Sequence, residues 1–216
     1  MKQFFGYSVH SNFSKRFCND NFFDSINFDK NLCEKIFSLN KTNANKQLIQ
    51  NAKKIIVGTL TPPEGMQNGY YYSSSKNKVF GIIDKCFDNG GVLTNLKKQL
   101  ANDKKSTKIL QNIENYLQKQ QIAFIDVIDR AIRIKGSSKD DDILFYTLDY
   151  DVFKQCDSKQ MFICTSLNAK NGLLAICKNG DVKIDTKNIF VCYQDRFHFN
   201  LQDWKEKLRW FQKFWQ

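Results

Sequence analysis

Hydrophobic positions along this chain follow two alternating patterns. Lys54–Val57, Ile122–Ile125, Met161–Cys164 and Ile189–Cys192 are short apolar runs, the pattern of strands buried on both faces. Between them, apolar residues return every three or four positions, as in Val79, Ile82, Ile83 and Cys86. Asn95–Leu100 and Ile109–Leu117 predict two more helices. Leu201–Gln216 predicts another, with Trp204, Leu208, Phe211 and Trp215 on one face. Asn200 and Asp203 are placed to cap it. Leu32, Ile36 and Leu39 predict a helix over Asp29–Leu39. Lys178-Asn179-Gly180-Asp181 predicts a hairpin turn between short extended pieces. Strands alternating with helices predict a three-layer α/β/α fold around a central four-stranded, mainly parallel sheet. Such sheets bind ligands beyond the carboxyl ends of their strands. Gly58–Glu64, Asp126–Arg133, Thr165–Asn168 and Tyr193–Phe199 each follow a strand, so they are expected to line one cleft.

The 216 residues suit a single domain spanning 1–216. Residues 1–50 are rich in Phe and Asn. Phe4, Phe5, Phe13, Phe17, Phe22, Phe23 and Phe28 predict an N-terminal wrap over the core. The net charge of +11 favours a polyanionic partner, because each neutralised phosphate releases condensed counterions. An AT-rich genome would also enrich Lys and Asn. No uncharged apolar run reaches membrane-spanning length, and the N-terminus has no signal-peptide pattern. A cytoplasmic chain with no membrane partner is expected. Seven cysteines, an odd number with no C-x-x-C pair, predict buried free thiols in a reducing compartment. With two histidines and no paired cysteines, no metal and no cofactor are expected. The phosphate-loop, dinucleotide, serine-hydrolase and zinc-peptidase patterns do not occur.

The stretch Ile55–Phe87 carries the densest chemistry. Gly58 closes a strand and permits close backbone approach. Thr59-Leu60-Thr61-Pro62-Pro63 forms a stiff turn. Tyr70-Tyr71-Tyr72 offers aromatic surface for base stacking, or for core packing. Asn77 opens a helical pattern, either as its cap or as an amide aimed at a substrate. Asp126 ends the second apolar run, where it would cap the next loop or act as acid, base or cation stabiliser. Thr165, Ser166 and Asn168 follow the third run and would read a base edge or cap the next helix. Arg196, Phe197, His198 and Phe199 follow the fourth.

This order resembles the uracil-DNA glycosylase superfamily, most closely its mismatch-specific and hypoxanthine-type members. In that family a strand and a G-x-x-P turn precede a YY…N-x-F/W segment, matched here by Tyr71, Tyr72, Asn77 and Phe80. A strand ending in Asp-Val and an R-x-G-S-x-D-x-x-I segment follow, matched with an altered offset by Asp126, Arg133, Gly136, Ser137 and Asp141 or Asp142. The likeness covers about residues 54–212. Two departures stand out. The turn after Gly58 has no carboxylate or amide before Glu64. Tyr193–Phe199 replaces a Ser/Pro-rich loop.

The resemblance implies a monofunctional DNA glycosylase with Asn77, Asp126 and His198 as catalytic residues. It implies a base pocket of Gly58, Thr59, Tyr71, Tyr72, Phe80, Thr165, Ser166 and Asn168. Lys76, Arg196 and Phe197 would contact DNA, either duplex with a flipped base or single-stranded. A monomer serving repair, or defence against modified viral DNA, is expected. The alternatives are a non-catalytic nucleic-acid-binding relative and a nucleoside- or nucleotide-processing enzyme.

Overall fold

The computed structural model describes residues 17–41, 43–87 and 90–191. The final helix, the Tyr193–Phe199 segment, Cys192, Phe4, Phe5 and Phe13 lie outside the described residues.

Strands β2 (Lys54–Gly58), β3 (Ile122–Asp126), β6 (Met161–Cys164) and β7 (Ile189–Val191) form one sheet in the order β3-β2-β6-β7. All three pairings are parallel. Every residue of β3 is buried, as are Ile55, Ile56 and Val57 of β2, which is why these strands read as unbroken apolar runs. Helices flank the sheet. α2 (Asn43–Asn51) and α6 (Thr107–Lys119) pack by β3, while α8 (Leu167–Asn179) packs by β2, β6 and β7. α8 comes close because Gly172 has no side chain: a Cβ there would meet Val127 Cγ2 at 2.7 Å. α4 (Val79–Cys86) and α5 (Val92–Asn102) complete the expected helices. Short helices α1 (Asp20–Ser25), α3 (Pro63–Asn68) and α7 (Tyr150–Phe153) occupy connections.

A second sheet was not foreseen. Strands β1 (Cys33–Phe37), β4 (Ile128–Ile134) and β5 (Ile143–Leu148) pair antiparallel in the order β1-β4-β5. The helix expected over Asp29–Leu39 is therefore strand β1 followed by a 3₁₀ turn, Leu39–Lys41. Ile36 alone is buried in β1, and Leu32 and Phe37 stay exposed, so the helical spacing of apolar residues was coincidental. The hairpin turn expected at Lys178–Asp181 is instead the end of α8, with Gly180 as its cap and the Gly180 N–H donating to the Ile176 carbonyl. Behind the second sheet, Cys18, Phe23 and Ile132 form a small separate core.

Candidate active site

β2, β3 and β6 end level with one another. Gly58 lies beside Asp126 in the ladder, and Val57 beside Cys164. The first polar residues past each end thus meet at one edge of the sheet. Asp126 is the centre of this edge. It is 2% exposed, and its Oδ2 accepts from the Thr61 N–H and the Thr61 hydroxyl, both at 2.6 Å. The Thr59–Pro63 turn, which lacks an acid of its own, therefore folds around the acid of the neighbouring strand.

The other carboxylate oxygen lies over Gly58. A Cβ on Gly58 would sit 2.3 Å from Asp126 Oδ1 and 2.8 Å from the Tyr72 hydroxyl. Glycine is required here to make room for two oxygens. Tyr72 reaches the position with φ +52°, a conformation that costs an L-residue about 1–2 kcal/mol. Its hydroxyl is buried beside the Thr165 side chain. Burial and the neighbouring Asp126 push the Tyr72 phenol well up, and Thr165 offsets this in part.

Burial likewise lifts the Asp126 carboxyl to about 6; the Thr61 hydrogen bonds oppose the rise, and Asp140 and Asp149 add to it. The backbone of Asp126 is pinned by Asn40, a residue that no sequence pattern singles out. Asn40 Oδ1 accepts from the Asp126 N–H at 3.0 Å, and Asn40 Nδ2 donates to the Asp126 carbonyl at 2.8 Å. The same amide donates to Asp149 Oδ2 at 3.0 Å and accepts from the Tyr71 hydroxyl at 2.7 Å.

The far wall comes from β6 and α8. Thr59 and Ser166 share a hydrogen bond of 3.1 Å between their hydroxyls. Ser166 also caps α8, accepting from the Ala169 N–H at 3.0 Å, and Thr165 donates to the Val57 carbonyl at 3.1 Å. Asn168 Nδ2 stands 3.4 Å from Asp140 Oδ2. Asp140, in the turn between β4 and β5, is thus the acid that the Arg-Gly-Ser segment carries to this edge. Asp142 instead holds Ser137, at 2.5 Å.

The aromatic residues have a different setting. Tyr70, Tyr71, Tyr72 and Phe80 are all buried around Phe124 of β3, at ring-centroid distances of 6.3, 6.4, 5.1 and 5.8 Å. They form the floor beneath Asp126, and the hydroxyl of Tyr72 faces the Gly58 edge. Asn77 lies at the other end of the same loop. Its Oδ1 accepts from the Val79 N–H at 2.9 Å and so starts α4. Its carbonyl accepts from Lys97 Nζ at 2.6 Å. Glu64 of α3 grips the loop, accepting from the Ser75 N–H at 2.9 Å and the Ser75 hydroxyl at 3.1 Å. Lys76 is exposed between these anchors. Asn77 is linked to Asp126 through this loop, α3 and Thr61, with no direct contact between the two side chains among the hydrogen bonds described. Arg196, Phe197 and His198 lie outside the described residues. The cavities bounded by Ile26, Phe28 and Cys33 belong to the second sheet, away from this edge.

Among the described residues no group of acids, cysteines and histidines is arranged to hold a metal, and no helix is long and apolar enough to cross a membrane. The described cysteines are free thiols. No family model and no curated protein matches the chain. Among solved structures, it is similar to the solution NMR structure of a "putative Uracil DNA glycosylase" from Methanosarcina acetivorans. That match has a TM-score of 0.48 and 16% sequence identity, and covers 76% of this chain and 91% of that one.

Proposed function

We propose that this chain is a monofunctional DNA glycosylase, hydrolysing the N-glycosidic bond of a damaged, deaminated or modified base. The observation that carries this reading is Asp126. It is a buried carboxyl with its proton affinity lifted to about 6, standing at the carboxyl edge of a parallel sheet among the hydroxyls of Thr59, Thr61, Thr165 and Ser166. The order of motifs along the sequence supports the same reading, and the charge of +11 suits a DNA partner.

The target base must leave the stack to reach such an edge, at a cost of a few kcal/mol. Lys76 and Arg196 would hold the backbone, and Phe197 would fill the gap left in the duplex. Bond breakage builds positive character on the sugar, and Asp126, whose proton affinity is lifted to about 6, would supply the proton that the leaving base needs. The departing base gains negative charge, which the Thr59, Thr165 and Ser166 hydroxyls and the Asn168 amide would stabilise. Gly58, Tyr71, Tyr72 and Phe80 shape the floor of the pocket. Asn77 would orient water or base in addition to starting α4, and His198 would complete the site. The enzyme would work as a monomer and without a cofactor, as one domain with residues 1–50 as its wrap.

The test is mass spectrometry of bases released from duplexes containing uracil, hypoxanthine or enlarged cytosines. The wild-type chain should release one class of base. Asp126→Asn and Asn77→Ala should each slow release about 100- to 1000-fold under single turnover, with DNA binding nearly unchanged. If Asn77 is a cap alone, Asn77→Ala lowers stability by about 1 kcal/mol and leaves turnover per folded molecule intact. Salt-sensitive DNA binding with no base released from any substrate would replace the enzyme by a non-catalytic relative.

A further inference from the structure

The turn between β4 and β5 delivers more than loop closure. Along β4, Ala131 packs into the main core and Ile132 into the small one behind it. Strand alternation then turns Arg133 back toward the main core. The β4–β5 ladder slips at this point. Ile132 pairs with Phe145 and Arg133 with Ile143, leaving Leu144 as the extra residue of a bulge. Bulges of this kind re-aim a side chain. Arg133 is fully buried, at 0% exposure. Its Nη2 donates to the Lys139 carbonyl at 3.1 Å, while Nε and Nη1 have no hydrogen-bond partner. A buried guanidinium with idle donors is costly unless an anion offsets it.

Three acids offset it, Asp140 first, then Glu34 and Asp142. Asp140 follows the carbonyl that Arg133 holds, and it meets the Thr59 hydroxyl and the Asn168 amide at the ends of β2 and β6. The Arg133 charge acts on Asp140, and the Asp140 charge acts on Asp126 and Tyr72. The buried cation thus draws on Asp140 at the ends of β2 and β6, and Asp140 in turn bears on Asp126 at the end of β3.

We propose that Asp140 is the second carboxylate of the Asp126 site, acting at the reacting centre, and that Arg133 is the positioning residue that holds it there as an anion. This rests on the glycosylase reading. The two acids differ in their surroundings. Burial raises both, but Thr59, Asn168 and Arg133 draw Asp140 back toward the ionised form, with Asp141 opposing. Asp126 is drawn back by Thr61 alone and faces the like charges of Asp140 and Asp149, with Tyr71 and Tyr72 as its neutral neighbours. Environments that separate two acids in this way assign the roles of base and acid. Asp140 accepts a proton from water as the water oxygen bonds to the sugar C1′. The C1′–N bond breaks, its electron pair leaves with the base, and the base takes the proton from Asp126. One water is consumed, and solvent returns the proton from Asp140 to Asp126, with no change in oxidation state.

Side-chain carboxyl NMR of the full chain, titrated with pH, tests the pairing without any substrate. In the wild type Asp126 should titrate near 6. Asp140→Asn should lower that midpoint, because a like charge is removed. Asp140→Glu, which keeps the charge, should largely preserve it. An Asp126 midpoint indifferent to Asp140→Asn in the folded protein overturns the pair. Single-turnover base release is the second arm. Asp140→Asn should run about 100-fold slower or worse, with the pH profile of the remaining activity altered. A slow Asp126→Asn beside a full-rate Asp140→Asn would overturn the role of Asp140 and keep the glycosylase reading. A wild-type chain that releases no base would overturn the glycosylase reading, and the titration then decides the pair by itself.

Discussion

Asp126 sits where an ionised carboxylate is expensive, and that expense has a measurable sign. Its folded value is raised from 3.8 to about 6, so the folded chain binds this proton more tightly than the unfolded one. The resulting stabilisation is complete below the unfolded value. It is lost progressively as pH rises through about 6. A shift of this size corresponds to about 3 kcal/mol, a large share of the stability of an ordinary domain. Asp126→Asn should remove the cost. The side-chain oxygen of asparagine can still accept from Thr61, and its amide can donate to the neighbouring hydroxyl of Tyr72. We therefore expect Asp126→Asn to melt several degrees above the wild type at pH 8, and the difference to shrink toward zero near pH 4. Thermal melts across that range check it. A difference independent of pH would mean that Asp126 carries no buried charge. A residue whose replacement stabilises the fold while stopping the reaction is the pattern expected of a site strained for function.

At the scale of elements, legibility followed burial. Strands β2, β3, β6 and β7 could be read to within a residue because both faces are covered and nearly every side chain is apolar. The second sheet was not legible. β1 is an edge strand that buries Ile36 and exposes Phe37, so it shows no alternation. β4 carries Asp129, Arg130 and Arg133, three charges that disguise a mostly buried strand. For the site, Gly58, Asp126 and Thr165 were visible because they end apolar runs. Asp140 was harder to pick, since three consecutive aspartates offer no spacing to choose among them, and only the fold around Arg133 selects one. Asn40 carried no signal: an isolated asparagine between Leu39 and Lys41 looks like any turn. Yet it ties β3 to Asp149, the cap of α7, and to Tyr71, joining the two sheets at the candidate site. Asn40→Ala would leave several buried groups without partners, each worth about 1–3 kcal/mol. We expect a loss of about 3 kcal/mol by urea unfolding. A loss below about 1 kcal/mol would show that water replaces the amide and that Asn40 is not the joint.

For the whole molecule, the arrangement of charge matters more than its sum. The chain has 33 basic and 22 acidic residues. Among the described residues, Asp84, Asp126 and Asp149 are buried at 2–4% exposure, against one buried base, Arg133. Asp84 is spent at the start of α5, where it accepts from the N–H groups of Leu93 and Thr94. Among the described residues three acids and one base are thus withdrawn from solvent, so these residues turn outward a charge more basic than their sum. A surface of that kind attracts a polyanion over a distance of about 10 Å at ordinary salt, independent of sequence. On the glycosylase reading, DNA affinity should then fall linearly on a log–log plot against salt. If six or more phosphates are met, the fall between 50 and 200 mM is about 1000-fold or greater. Lys76→Ala and Arg196→Ala should each weaken binding to all sequences alike and reduce the slope by about one. Asp126→Asn should leave the slope unchanged, because a buried carboxylate releases no counterion. Fluorescence anisotropy with a labelled duplex at four salt concentrations measures all of these. An affinity nearly flat in salt would exclude the backbone as the main contact and direct the search to a free nucleoside or nucleotide at the Asp126 edge.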